Sequence, residues 1–164
     1  MTAPATASEM KIRRVTLDDL EEILVHRRRM FEDMGHHDIA VLEEIVRSSR
    51  PVLREFLAAG FYVGWFAVTA ENRVAAGAGL LISPSLSGPM APDRAERVYL
   101  WNVFTYPQFR KQGLARLLTQ RAIAYCRQHG RKILWLHASQ YGRPLYESLG
   151  FEQTNEMKLL VKEE

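Results

Sequence analysis

The sequence predicts a single mixed α/β domain in which helices pack on a β-sheet. Segments of strand-like and helical periodicity follow each other as strand, two helices, three strands, helix, strand, helix, strand. The length of 164 residues suits one domain with a sizeable core. No internal repeat or interdomain linker divides the chain. We therefore expect one domain over residues 10–164, preceded by a small, polar and flexible tail over residues 1–9.

The first third of the chain predicts a short strand and a helix. Residues 10–15 favour the strand, and Thr16 begins the helix with Asp19 in the capping-box position three residues later. Gly35 ends this helix. The apolar residues of one helix face recur at helical spacing: Leu20, Ile23, Leu24, Phe31 and Met34.

A second helical region and a hairpin follow. Asp38 caps the helix, Pro51 should kink or split it, and Gly60 ends it. Aromatic and β-branched residues then favour a strand over 61–70, which a short turn joins to a partner strand over 74–82. The remaining segments are, in order, a loop over 83–96, a strand over 97–105, a helix over 114–129, a strand over 132–138, a helix over 142–149 and one or two strands over 151–161.

Composition narrows the class of protein. Hydrophobic residues make up 47% and charged residues 25% of the chain, as in ordinary globular proteins, and the net charge is a mild +3. No apolar stretch approaches the roughly 18 residues that a membrane helix needs, and the N-terminus does not resemble a signal peptide. The single cysteine, Cys126, excludes an internal disulfide and favours a cytoplasmic location.

The run from Val103 to Leu118 is the most informative part of the sequence. An apolar strand stops at Pro107, and a short basic turn containing Gly113 leads directly into an amphipathic helix. Free backbone N–H groups at the positive end of a helix, with cationic side chains around them, form an anion site. A phosphate or pyrophosphate group suits this site best.

Two motifs resemble those of the GNAT superfamily of acetyl-coenzyme A-dependent N-acetyltransferases. The family pattern Gln/Arg-x-x-Gly-x-Gly/Ala is matched by Arg110-Lys111-Gln112-Gly113-Leu114-Ala115. The later pattern Leu-Tyr-x-x-x-Gly-Phe is matched from Leu145 to Phe151. The motifs stand in the family's order, and the element order agrees from about Lys11 to Val161. The resemblance implies a central, mostly antiparallel mixed sheet, splayed fourth and fifth strands, and helices on both faces.

The resemblance also implies a binding site for acetyl-coenzyme A. Amides of residues 111–115 would hold the pyrophosphate, and Gly113 would let it approach the backbone. Backbone groups of Phe104 and Thr105 would contact the pantetheine arm. Ser139 stands where many members carry asparagine, and it keeps a hydroxyl for the arm or a water. The expected cofactor residues are Phe104, Thr105, Arg110, Lys111, Gln112, Gly113, Leu114, Ala115, Arg116 and Ser139.

Acetyl transfer from a thioester to an amine needs an oxyanion donor and a proton for the departing thiolate. A backbone N–H near Phe104 or Thr105 is the expected oxyanion donor. Tyr146 matches the family tyrosine that protonates the thiolate, and its phenol, with an ordinary pKa of about 10, can donate at neutral pH. The alternative role for Tyr146 is packing between Leu145 and Leu149.

The acceptor side is less defined. Asn102 lies near the expected acetyl position, and Glu96 is a candidate base acting through water. The sequence leaves open whether Met30, Phe31 and Met34 line the acceptor cleft or fill the core.

Three further segments have simple interpretations. The cluster Arg27–Arg29 is most simply an exposed helix face. His36, His37 and Asp38 are expected to form a solvated turn, so no metal site is predicted. The loop Ser83–Glu96 is long enough to cover the acceptor side.

The leading hypothesis is an N-acetyltransferase for a small amine. The alternatives are acetylation of a protein N-terminus or lysine, and a non-catalytic sensor of acyl-coenzyme A. Nucleic-acid binding has only the mild basicity in its favour. A homodimer is plausible because the C-terminal strands of this family often pair between subunits.

Overall fold

The computed structural model describes residues 10–161, so the predicted tail over residues 1–9 lies outside the described residues. One five-stranded sheet has the order β1-β2-β3-β4-β5; neighbouring strands are antiparallel except β4 and β5, which are parallel. The elements are β1 (Lys11–Arg14), α1 (Leu20–Asp33), α2 (Ile39–Ala59), β2 (Tyr62–Val68), β3 (Val74–Pro84), β4 (Glu96–Thr105), α3 (Leu114–Gln128), β5 (Trp135–Leu136) and α4 (Arg143–Glu147). This is the mixed sheet that the sequence predicts.

Local sequence signals begin and end the helices as predicted. A 3-10 turn over Leu17–Asp19 precedes α1, and the Asp19 carboxylate accepts from the Thr16 backbone N–H at 2.8 Å. Asp38 accepts from the backbone N–H of Val41 at 3.2 Å and caps α2. Gly60 ends α2 with φ 77°, a conformation that suits glycine.

The sheet separates two hydrophobic layers. On one face, α3 packs through Leu114, Leu118, Ala122 and Cys126. On the other face, α1 and α2 pack through residues that include Ile23, Leu24 and Leu53. The helices therefore cover both faces, and β4 lies in a sheet that is buried from both sides.

The prediction of a C-terminal strand is wrong, and of the two outcomes predicted for Pro51, a kink or a split, the split does not occur. Residues 151–161 form no strand, and their side chains at Met157 and Leu159 are 97% and 84% exposed. The backbone groups of a strand need hydrogen-bond partners on a neighbouring strand, and the adjacent strand β5 is only two residues long, Trp135 and Leu136. Pro51 does not split the second helical region, because it lies on the exposed face of α2, where water can satisfy the carbonyl that loses its partner.

Candidate active site

A large cavity lies where β4 and β5 part. The two strands pair only at Tyr99 with Trp135 and at Leu100 with Leu136. Beyond this point β4 continues to Thr105 without a partner on that side, and a cavity of about 1180 Å³ occupies the gap. The splay that the resemblance implies is therefore present, and it leaves an unpaired strand edge along the cavity.

A loop rich in free backbone donors borders one end of the cavity. Among the described residues, hydrogen bonds are found for the backbone N–H groups of Arg110 and Leu117, but for none of residues 111–116. Lys111 and Gly113 have φ values of 61° and 80°, and α3 begins at the next residue, Leu114. Successive N–H groups in such a turn at a helix N-terminus can bind a phosphate.

Cationic side chains surround this loop. Lys111 and Arg116 line the cavity, and Arg116 Nη2 donates to Ser148 Oγ at 2.7 Å. Arg110 Nε donates to the Thr105 carbonyl at 3.0 Å, and its Nη2 lies 2.5 Å from Asp33 Oδ2. These charges strengthen the attraction of the loop for an anion.

All but one of the sequence-predicted cofactor residues meet at this cavity. Those that line it are Phe104, Thr105, Arg110, Lys111, Gly113, Leu114, Ala115, Arg116 and Ser139. The exception is Gln112, whose side-chain Oε1 is buried without a hydrogen-bond partner. Only its backbone N–H belongs to the row of free donors.

Tyr146 forms part of the opposite wall. It lies on α4 and packs edge-on against Phe151, with ring centroids 5.8 Å apart. Burial raises the pKa of Tyr146 to about 12. The phenol therefore stays protonated at neutral pH and can act as a hydrogen-bond donor or an acid.

Ser139 and Gly142 shape the turn that carries Tyr146. Ser139 Oγ accepts from the Gly142 backbone N–H at 3.1 Å, which leaves its own hydroxyl proton free to donate. A Cβ on Gly142 would lie 3.0 Å from Tyr146 Cε2, so glycine gives the tyrosine ring its room.

A β-bulge in the middle of β4 builds the other end of the cavity. Trp101 is opposite Gly79 and Phe104 is opposite Gly77, so two β4 residues face one residue of β3. The first of the two, Asn102, has φ 51° and is buried. The bulge brings Asn102 and Trp101 into the cavity wall.

Helix α1 completes this wall. Arg27 Nη1 donates to Asn102 Oδ1 at 3.3 Å. Its guanidinium carbon lies 4.7 Å from the ring centroid of Trp101 and 5.1 Å from that of Phe31. Met30, Phe31 and Met34 all line the cavity.

Two predicted features lie elsewhere. Glu96 does not line the cavity; it pairs with Arg131 at 3.0 Å and with Arg94 at 3.7 Å. The long loop is tied to the chain after α3, because Arg94 donates to the His129 carbonyl and Lys132 pairs with the loop residue Asp93. Of the predicted loop only Ser83 lines the cavity, so the structure does not place the loop over the acceptor side.

Sequence reasoning misses two features of the cavity wall. It places Arg27 on an exposed face, yet Arg27 shares a helix face with Met30 and Met34, and its spacing of three and seven residues from them is the signal that could have found it. The second feature is a pair across the splay, in which the Tyr99 hydroxyl lies 3.2 Å from His137 Nδ1. No local motif marks this pair.

Comparison with known proteins decides the family. The model of the Acetyltransferase (GNAT) family matches residues 17–151. The chain belongs to this GNAT family. A search of curated proteins finds no significant match.

Solved GNAT structures share the fold over nearly the whole chain. A GCN5-related N-acetyltransferase from Ralstonia eutropha JMP134 is 32% identical, with 93% of this chain and 98% of that chain covered and a TM-score of 0.87. A predicted acetyltransferase from Clostridium acetobutylicum, solved with acetyl-CoA, is 25% identical, with 93% and 96% covered and a TM-score of 0.80. An aminoglycoside N-acetyltransferase in complex with CoA shares the fold at 22% identity, with 99% of each chain covered and a TM-score of 0.65.

Residues 10–161 contain neither a cluster of metal-binding side chains nor a helix that could span a membrane. Within residues 10–161, no three His, Cys, Asp or Glu side chains gather in a way that could hold a metal ion. None of the described helices is long and apolar enough to cross a membrane. The GNAT family uses acetyl-CoA.

Proposed function

We propose that this GNAT protein transfers the acetyl group of acetyl-CoA to the primary amine of a small molecule. The observation that carries the proposal is the row of free backbone donors over residues 111–116, which opens onto the gap between β4 and β5. In this proposal, the pyrophosphate binds that row and the side chains of Lys111 and Arg116. The pantetheine arm extends along the unpaired edge of β4 at Phe104 and Thr105, as an added strand would.

The proposed chemistry is direct attack of the amine on the thioester. The neutral amine forms a C–N bond to the carbonyl carbon, and a backbone N–H near Phe104 or Thr105 stabilises the oxyanion. The C–S bond then breaks, and the thiolate takes its proton from the Tyr146 hydroxyl. Tyr146 regains a proton from solvent, and the new amide nitrogen loses one, so the proton count balances.

Two features support a small acceptor over a protein. The cavity, at about 1180 Å³, has room for both the cofactor arm and a small acceptor. At the proposed acceptor end, the rings of Phe31 and Trp101 lie 5.1 and 4.7 Å from the guanidinium carbon of the partly buried Arg27 and provide apolar surface for a small molecule. The retained Tyr146 favours catalysis over a sensor role, because a sensor has no thiolate to protonate.

The test is a titration followed by an assay. Calorimetry with CoA and acetyl-CoA on the folded protein should show binding of both. Free thiol release from acetyl-CoA is then followed with a panel of small amines, lysine-containing peptides and peptide N-termini. Turnover with small amines supports the proposal. Absence of CoA binding excludes it, and tight binding without turnover for any panel member favours the sensor.

A further inference from the structure

Arg27 is a cation in the acceptor wall with no anion beside it. Within residues 10–161, no ion pair to Arg27 is found, whereas its neighbour Arg28 pairs with Glu32 at 3.0 Å. Its only hydrogen bond among these residues goes to the neutral amide of Asn102, and its Nε is buried without an acceptor. The guanidinium therefore keeps unused hydrogen-bonding capacity.

The surroundings of Arg27 make an unpaired charge costly. Its guanidinium lies against the rings of Trp101 and Phe31, which hold a planar group in one orientation. Burial lowers the pKa of Arg27 below its ordinary value. Buried charges are normally paired, so a partner from outside the chain is expected.

The carboxylates that line the cavity are already engaged. Asp33 pairs with Arg110, and Glu156 pairs with Arg97. Neither therefore offsets the charge of Arg27.

The pyrophosphate of the cofactor is in the wrong place to serve as the missing anion. Arg27 contacts Trp101 and Asn102, whereas the phosphate loop follows the end of β4 at Thr105. Three residues of extended strand span about 10 Å, and the loop lies beyond that. The acceptor is therefore the substrate to consider as the source of an anion for Arg27.

We propose that Arg27 binds a carboxylate of the acceptor, so that the substrates are small amines that carry a carboxylate and an apolar group. Apolar amino acids are the simplest members of this class. A carboxylate matches the planar guanidinium and supplies the missing acceptors. Met30, Phe31, Met34 and Trp101 provide an apolar lining for the rest of the molecule. Polycationic amines would be repelled. The inference rests on the proposed function, because it names the substrate class of the same site.

The test compares two probe molecules of similar shape and different charge. The probes are 3-phenylpropionate and 3-phenylpropionamide, which have nearly the same size and differ in charge. Each is titrated by calorimetry into CoA-saturated protein as wild type, Arg27→Met and Arg28→Met. Arg28→Met is the matched control, since Arg28 is adjacent on α1 and does not line the cavity.

We expect wild type and Arg28→Met to bind the acid roughly 10- to 100-fold more tightly than the amide, as expected for a charge-assisted hydrogen bond. Arg27→Met should bind both alike. Equal binding of the two probes by wild type, binding of neither, or a retained preference in Arg27→Met would each overturn the inference. Equal binding of the two probes by wild type overturns the inference by itself, so that outcome does not depend on whether Arg27→Met folds.

A kinetic comparison separates this inference from the proposed function. Phenylalanine, phenylalaninamide and 2-phenylethylamine present the same ring and amine with and without a carboxylate. In wild type, we expect kcat/KM for phenylalanine to be at least about tenfold higher than for phenylalaninamide or 2-phenylethylamine. Arg27→Lys should retain only part of that preference. Acetylation of all three at similar rates leaves the acetyltransferase proposal standing and overturns the carboxylate site. Failure to bind CoA overturns the proposed function itself.

Discussion

The two ends of the cavity are built from different parts of the chain. At the proposed phosphate end, the backbone N–H groups of six consecutive residues, 111–116, have no hydrogen-bond partner among the described residues. At the acceptor end, the wall is made of side chains, and the hydrogen bond between Arg27 and Asn102 joins residues 75 positions apart. A site made of backbone N–H groups suits a ligand that stays the same, because these groups are present whatever the side chains are. A side-chain site can change its ligand by substitution while the fold stays the same.

The largest effect that tests this difference is expected at Tyr146. Tyr146→Phe removes the hydroxyl and leaves the ring that packs on Phe151. We expect kcat to fall at least about 100-fold, the usual contribution of a general acid, while the Kd for CoA stays unchanged. Steady-state kinetics and calorimetry measure the two quantities. Tyr125→Phe is the control, because Tyr125 packs on Trp65, does not line the cavity, and should leave kcat unchanged.

The pH profile sharpens the same prediction. The pKa of Tyr146 is raised to about 12, so the phenol remains the acid form well above the ordinary value of 10. Wild-type kcat should therefore show no loss from Tyr146 up to about pH 10. A decline in wild-type kcat near pH 8 that disappears in Tyr146→Phe would contradict the raised pKa of Tyr146.

The next largest effect is expected in the phosphate loop. Gly113 has φ 80°, and an added Cβ would meet no atom within 4 Å. Gly113→Ala should therefore cost about 1 kcal/mol in the free energy of unfolding through backbone strain alone. It should also weaken CoA binding roughly 10- to 100-fold, because the strained loop no longer aims its amides at the phosphate. Chemical denaturation and calorimetry measure the two effects.

Gly60→Ala provides a matched control for Gly113→Ala. Gly60 ends α2 with φ 77°, and a Cβ there also meets nothing within 4 Å. The two variants should lose similar stability, and only Gly113→Ala should lose CoA affinity. Equal CoA affinity in both variants would assign Gly113 to the local fold and not to phosphate binding.

The difference between the two ends also explains what the sequence could predict. The phosphate loop is local, so Pro107, the basic turn and Gly113 mark it within a short stretch of sequence. The caps at Asp19 and Asp38 are local too, and the helices that they begin lie where the sequence predicts them. Periodicity and element order predict a mixed α/β domain, and the resemblance to the GNAT family predicts the mixed sheet with its two covered faces.

The acceptor end depends on long-range packing, which local patterns do not contain. Arg27 is one of three adjacent arginines; its spacing marks a helix face shared with Met30 and Met34, but that this face lies on the cavity depends on how α1 packs against β4. Glu96 has the chemistry of a base, but its pairing with Arg131 is invisible in the sequence. The segment 151–161 has apolar residues suited to a strand, and whether a strand forms depends on the edge of β5, where only two residues pair.

A smaller effect is expected at the β-bulge. Asn102→Gly keeps a residue that tolerates φ 51° and removes the oxygen that accepts from Arg27. We expect KM for the acceptor to rise about tenfold, since the guanidinium loses the contact that orients it, with the Kd for CoA unchanged. Asn72→Gly is the control, because Asn72 also has a positive φ, 62°, in an exposed turn. An equal KM for the acceptor in the two variants would show that the Asn102 side chain does not contribute to acceptor binding and that the bulge acts through its backbone alone.

The smallest effect is expected where the two ends are joined. Asp33, at the end of α1, pairs with Arg110 of the phosphate loop, and both side chains are more than two-fifths exposed. Asp33→Asn should change the free energy of unfolding by less than about 1 kcal/mol, as for other surface pairs. It should tighten CoA binding by about two- to threefold at low salt, because it removes a negative charge beside the phosphates and frees the guanidinium.

Salt provides the check on the Asp33 prediction. At about 1 M salt the Debye length falls to about 3 Å, so the gain in CoA affinity should disappear. Glu44→Gln on α2 is the control: it breaks the exposed Glu44–Arg47 pair, which does not line the cavity, and should leave CoA affinity unchanged at any salt concentration. Weaker CoA binding by Asp33→Asn would reverse the argument, since the ion pair would then be holding Arg110 in place for the phosphates and not competing with them.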